Sequence, residues 1–309
     1  MQVPDSIRKC VFFVGCRLAD GTYHLGGTAF FVGRPMPKVP GTPFVYVVTA
    51  RHVIDKIRSL GIRTVSLRLN FKDGGARWLD YDVARWRFHP DPSVDVAVMR
   101  VDADVEDDHL NFPIYAIATD AVIAAEGIGI GNEVFLAGLF IRHAGKQRNI
   151  PILRVGNIAA MPEEPIEADF GPNNLIEGYL IEARSFGGLS GSPVFTHFDD
   201  MKVRLQSYYL LGLIHGHYDI PSFSSDGSDE FDLFDLSIED ASAKSVVNTG
   251  IAIVVPASKI LEVLDQPIIR EEENQVEQET LRKGLPTLDN LNSDQELDIS
   301  ENGQGLTRE

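Results

Sequence analysis

The sequence predicts an all-β domain followed by an acidic extension, and three observations carry that reading. Short runs rich in Val, Ile, Phe and Tyr recur between turn residues over the first 265 positions. No long segment among them keeps a helical apolar period. From Gln266 onward the aromatic residues disappear while acids accumulate. Many short strands of this kind build a sandwich or a pair of barrels.

Taken in chain order, the strand-like runs are KCVFFVGCRL, GGTAFFVG, FVYVVTA, TVSLRLNF, DVAVMRV, NEVFLAGLF, GYLIEA, SPVF, YYLLGLIHG and GIAIVVP. A short helix comes after the last of them, because ASKILEVLD places Ile260, Leu261 and Leu264 on one face with Val263 beside them. Two insertions interrupt the pattern: a proline-rich loop at 34–43 and a polar, acidic segment at 221–248. Residues 266–309 carry eleven acids against four bases, a net charge of -7. Apolar burial there cannot offset the entropy of ordering the chain, so these residues are expected to form a disordered tail, with room for a short helix in REEENQVEQETLRK.

The 309 residues are 44% hydrophobic and carry a formal charge of -17. That charge, with no cluster of Lys and Arg to grip phosphates, argues against nucleic acid as a partner. No stretch approaches the roughly 18 apolar residues of a membrane span, and the N-terminus lacks the pattern of a secretory leader. Cys10 and Cys16 lie on what reads as one extended strand, with their backbones on the order of 20 Å apart, too far for a mutual disulfide. Reduced thiols and a cytoplasmic location are the resulting expectations.

Three short motifs suggest chemistry. VYVVTARHVID sets His52 at the end of a strand, PSVDVAVMRV sets Asp95 at the mouth of another, and GGLSGSP surrounds Ser190 with glycines that leave backbone N–H groups free to converge. Singly, each has a plain structural reading: a satisfied histidine, a turn-forming acid, a tight glycine–serine turn. Together they supply what nucleophilic acyl transfer needs: a hydroxyl, a base and an acid that orients the base. Ser185 and Ser192 lack the flanking glycine geometry, and Asp82 and Asp91 do not begin an apolar alternation. The eight histidines are scattered without metal-site spacing, so no metal and no cofactor is expected.

In the order His52, Asp95, Ser190, with TARHV, DVAVMRV and GLSGSPVF as blocks, the chain resembles the trypsin-like (chymotrypsin-fold) serine peptidases over about residues 7–265. The resemblance implies two packed six-stranded antiparallel β-barrels, about 1–115 and 116–265, with a short C-terminal helix and then the acidic tail 266–309. It implies a serine endopeptidase acting on a protein or peptide substrate. Ser190 would be the nucleophile, His52 the base and Asp95 its orienter, with the N–H groups of Gly188 and Ser190 as the oxyanion hole. It fixes no oligomeric state. Leu189 stands where secreted digestive members place the aspartate that binds a newly cut N-terminus, which disfavours that route of activation. The GxSGSP form, without disulfides, is similar to bacterial glutamyl endopeptidases and to the protease domain of the high-temperature-requirement proteases, though no segment after residue 265 reads as a PDZ domain. A free-standing bacterial or phage domain is the simplest expectation. By the family pattern the substrate pocket would involve Arg184, His215 and His217, which could favour an acidic residue before the scissile bond. Arg184 pointing to solvent and histidines ending a strand is the competing reading, and glutamate-specific members carry their histidine where this chain has Ile214. Other functions consistent with the blocks are a binding or regulatory module on a trypsin-like fold, and a protease held latent by its insert or tail.

Overall fold

The structure is a computed structural model that describes residues 3–102, 107–183, 187–200, 205–222 and 245–283. Most of the acidic insert, Arg184 and everything after Lys283 lie outside the described residues.

The N-terminal lobe is an eight-stranded sheet. After a short helix α1 (Asp5–Lys9) it contains β1 (Val11–Arg17), β2 (Tyr23–Pro35), β3 (Pro43–Thr49), β4 (Thr64–Asn70), β5 (Ala76–Asp82), β6 (Arg87–Phe88), β7 (Ala97–Val101) and β8 (Phe112–Pro113), with α2 (Arg51–Ser59) between β3 and β4. The strands run in the order β5-β4-β1-β2-β3-β7-β6, and β8 pairs with β2. The C-terminal lobe comes after α3 (Asp120–Glu126). It is built from β9 (Glu133–Gly138), β10 (Ile152–Ala160), a small separate hairpin of β11 (Ile166–Glu167) and β12 (Leu175–Ile176), and then β13 (Tyr179–Glu182), β14 (Pro193–Asp200), β15 (Leu205–Ser222) and β16 (Ser245–Pro256). Its six long strands close in the order β10-β13-β16-β15-β14-β9. The chain therefore has the two-lobed trypsin-like architecture. One detail differs from two equal barrels: the N-terminal sheet ends in β5 and β6, which do not pair with each other. A single 3-10 turn at Val83–Arg85 joins them, and β6 is two residues long, so no ladder closes there.

The core of the N-terminal lobe crosses the seam into the C-terminal lobe, whose barrel keeps a second core of its own. Phe112 on β8 packs on Phe195 of β14 (ring centroids 5.1 Å), which stacks on Phe135 of β9 (5.3 Å). All three are fully buried. Rings this large, removed from water on both sides of the seam, each contribute roughly 1.5–3 kcal/mol, so the cleft between the lobes is held by packing as well as by the chain.

Beyond the barrel, α4 (Ser258–Leu264) buries Ile260, Val263 and Leu264, while Leu261 stays partly exposed. The expectation of disorder from residue 266 is corrected for its first stretch. Residues Pro267–Arg282 form a sixteen-residue helix, α5, that docks on the N-terminal lobe. Its acids are not all solvated. Glu273 and Glu277 are buried; Glu273 accepts the Tyr46 hydroxyl (2.7 Å) and lies beside Arg34 (3.4 Å), and Glu277 accepts the Lys38 backbone N–H (2.8 Å). Composition counted these carboxylates as charge without a partner, whereas basic and hydroxyl groups more than 200 residues earlier meet them. The insert at 221–248 begins as an extension of the β15–β16 ladder, in which Ser222 still pairs with Ser245. Cys10 caps α1 and Cys16 lies in β1, and both are free and buried.

Candidate active site

The first two site residues are brought together by strand register. Ala97 at the start of β7 pairs with Thr49 at the end of β3, so the segment just before β7 lies beside the residues that leave β3. Those residues wind directly into α2, whose Val53, Ile54 and Ile57 form its buried face. His52 stands in the first turn of this helix, one step past the strand end where the sequence suggested it. Asp95 is wholly buried and serves α2 as a cap: one carboxylate oxygen accepts the His52 backbone N–H (2.8 Å), and the other takes His52 Nδ1 (2.7 Å). A carboxylate at a helix N-terminus satisfies an otherwise orphaned donor and meets the positive end of the helix dipole.

A third residue joins them. His215 Nδ1 lies 2.5 Å from the same Asp95 oxygen that binds His52 Nδ1. The cause is a bulge in β15: Ile214 pairs with Val254 and Gly216 with Ile253, leaving His215 as the extra residue. A bulge re-aims a side chain off the regular alternation. While Ile214 fills the barrel, His215 turns toward Asp95, its ring at 5.2 Å from that of His52 and 5.5 Å from Phe170 of the β11–β12 loop. Burial is the strongest single influence on Asp95 and opposes its ionisation. The hydrogen bonds and charges of His215 and His52 together outweigh it and hold the carboxyl well below the usual carboxylate range. An ionised carboxylate can only accept, so both Nδ1 atoms carry protons and a neutral His52 keeps its lone pair on Nε2.

The loop that carries Ser190 is pinned from both lobes. Thr28 of β2, fully buried, donates its hydroxyl to Gly188 O (2.8 Å), accepts Leu139 N–H (2.9 Å) and donates its own N–H to Ser190 O (2.9 Å). From the barrel side, Ile214 O accepts Gly191 N–H (2.8 Å), and within the loop Ser192 N–H donates to Leu189 O (2.8 Å). The last bond fixes the 189–190 peptide, whose N–H must point the opposite way from its carbonyl. Two glycines are required here. Gly188 has φ +100° and Gly191 φ +81°, and a Cβ on Gly191 would come within 2.3 Å of Thr28 O and Thr49 Oγ1. Ser190 is partly exposed, and its hydroxyl donates to His215 O (3.3 Å). Among the described residues no hydrogen bond joins it to His52.

Of the expected pocket residues, His215 faces Asp95, His217 pairs with Asp219 (3.4 Å), and Arg184 lies outside the described residues. Of the rival residues, Ser192 is fully buried behind the loop, Asp82 caps the 3-10 turn through Ala84 N–H, and Asp91 accepts both donors of Ser93 as a turn former. Ser185 lies outside the described residues. Sequence reasoning missed the role of His215. No local signal marks it, because the bulge that aims it is set by the pairing of β15 with β16.

The fold and this seam define a trypsin-like β protein with an acid–histidine cluster between its lobes. No family model and no curated protein matches the chain. Among solved structures it is similar to Deg5, with 15% identity over 68% of this chain and 81% of that one and a TM-score of 0.41. It is similar also to an inactive Ser343Ala form of Rv3671c from M. tuberculosis H37Rv, with 17% identity over 84% and 88% and a TM-score of 0.42. Similarity of this order does not say what the chain acts on.

Proposed function

We propose that the chain is a serine endopeptidase, in which Ser190 Oγ attacks the scissile carbonyl and His52 Nε2 takes its proton. His52 then passes that proton to the leaving amine, and water repeats the sequence to release the acyl group. The observation that carries this reading is the double hydrogen bond between His52 and a fully buried Asp95, which locks the imidazole in the tautomer a general base needs. The N–H groups of Gly188 and Ser190 are the oxyanion donors in this reading, supported by the fixed 189–190 peptide and the glycine conformation at 188. Ser190 turns about its Cα–Cβ bond from His215 O to His52 when substrate enters, as catalytic hydrogen bonds in unliganded enzymes often tighten only then. His215 acts as the second brace on Asp95. Two buried free thiols fit a reducing compartment, and no described helix is long and apolar enough to cross a membrane.

A fluorophosphonate probe tests the assignment. It labels the wild type at Ser190, and labelling and peptide hydrolysis both vanish in a folded Ser190→Ala variant. Labelling that persists in that variant removes Ser190 as nucleophile. A latent form is the second reading, favoured by the bond from Ser190 to His215 O. In that case labelling is slow and accelerates when a peptide substrate is present, whereas a competent site is only slowed by competition.

A further inference from the structure

Outside catalysis, the property of this site that stands out is its donor set. His52, His215 and Asp95 each offer a ligand atom within 4.8 Å of the others, and both Nδ1 atoms lie against one Asp95 carboxylate oxygen. Two imidazole nitrogens and one carboxylate oxygen, with a fourth position open, form the ligand set of hydrolytic zinc centres. Among the described residues no Lys or Arg hydrogen-bonds Asp95; its partners are the two histidines. A cation entering there meets one buried negative charge and two neutral bases.

We propose that His52, Asp95 and His215 form an inhibitory site for a divalent transition metal of the Zn2+ type. Zinc bonds at about 2.0–2.1 Å in a tetrahedron put neighbouring ligand atoms roughly 3.3–3.4 Å apart. The two nitrogens now stand at 2.7 and 2.5 Å from the oxygen, held by protons. Admitting the ion therefore asks each to part from the oxygen by roughly 0.6–0.9 Å. The His52 side chain is 31% exposed and can swing outward, while Asp95 stays capped on the His52 backbone N–H. Each imidazole loses its Nδ1 proton to solvent and gains one at Nε2, the ion sheds bound water, and no electron moves. The consequence for the reaction is direct. A proton on His52 Nε2 occupies the lone pair that would accept the Ser190 proton, so the metal converts the base to the wrong tautomer. His215 makes this possible, because His52 and Asp95 alone offer only two ligands.

The effect on activity rests on the peptidase reading, but binding is measured without it. Calorimetric titration of full-length Ser190→Ala protein with ZnCl2 should show one site, weakened by roughly tenfold or more in Ser190→Ala/His215→Asn and in Ser190→Ala/His215→Leu. Asparagine keeps a donor for Asp95 but is a poor zinc ligand, so it covers the case in which the leucine variant misfolds. In the wild type, ZnCl2 should slow fluorophosphonate labelling, EDTA should restore it, and MgCl2 should have no effect. Absence of binding at millimolar zinc, or binding unchanged in a folded position-215 variant, overturns the site. A wild type that never labels, with zinc binding intact, overturns the peptidase reading and leaves the site standing.

Discussion

Replacing His215 with leucine removes one of three hydrogen bonds to a carboxylate that is wholly buried. A hydrogen bond to a charged group contributes about 1.5–3 kcal/mol. The loss acts on Asp95, which then relaxes toward whatever water or main-chain donor it can reach, and the His52 ring it steers loosens with it. If the whole of that energy is expressed in the transition state, where His52 becomes a cation beside Asp95, kcat/KM falls by about 10- to 150-fold, since 1.36 kcal/mol is tenfold. The loss belongs in kcat, because His215 touches Asp95 and not the reacting bond, so KM should change little. Asparagine at the same position places an amide N–H near where Nδ1 stood and should recover most of the rate. Steady-state hydrolysis of a peptide substrate by both variants, alongside the second-order rate of fluorophosphonate labelling, measures this. A leucine variant within twofold of wild type, or an asparagine variant no better than leucine, refutes the idea that His215 braces the acid.

Two predictions concern stability. His109 uses both ring nitrogens, accepting Asn70 N–H at Nε2 (3.1 Å) and donating from Nδ1 to Lys9 O (3.2 Å), and burial, its strongest influence, pushes its pKa down to about 4. A depressed histidine favours folding above its unfolded value near 6.5 and loses that contribution as pH falls toward 4, by at most about 3 kcal/mol. Urea unfolding at pH 7 and pH 4.5 should show the loss, and His109→Gln should flatten that part of the profile; an unchanged slope in the variant refutes it. Ending the chain at Asp265 rather than Lys283 deletes α5. This strips Tyr46 of its acceptor and exposes the face Ile269 covers, each worth roughly 1–3 kcal/mol. At about 2–4 °C per kcal/mol the shorter chain should melt on the order of 10 °C lower; equal melting temperatures would return α5 to the status of an inert extension.

Much of the architecture was legible because buried antiparallel strands announce themselves by apolar alternation between turn residues, and all ten expected runs are strands in the structure. Two of the longer strands escaped because both their faces are partly wet. β5 (ARWLDYD) has only exposed and half-buried positions, and β10 (ILRVGNIAA) keeps one buried residue, Ile158. Helix α2 escaped for another reason. Its apolar face needs only Val53, Ile54 and Ile57, and a histidine directly after a strand drew the reading toward the strand's end. The meeting of His52 with Asp95 could be read from order and motif. The place of His215 could not, since a bulge depends on how β15 and β16 register over residues 214–216, a long-range fact that local pattern does not encode.

The same limit explains the acidic helix. A charge count treats every carboxylate as solvated, and on that basis residues 266–309 have too little apolar surface to fold. Burying an acid is costly only if it is unpaired, and the cost is offset when partners are already fixed in place. Arg34 is such a partner. It sits at the end of β2, buried to 5%, and donates to Leu264 O (3.0 Å) and Asp265 (2.7 Å) before α5 begins. Without Glu273 the buried guanidinium would keep a single carboxylate, itself half exposed, among the described residues. The helix thus completes a site the N-terminal lobe has already half built, and Arg270 of α5 closes it by bonding Glu273 (3.0 Å) and Asp265 (2.9 Å) together. Seen from Arg34, the acids of α5 are counter-charges that the body of the fold requires. The folded domain therefore extends past the boundary that composition marks and takes in the helix that carries these contacts.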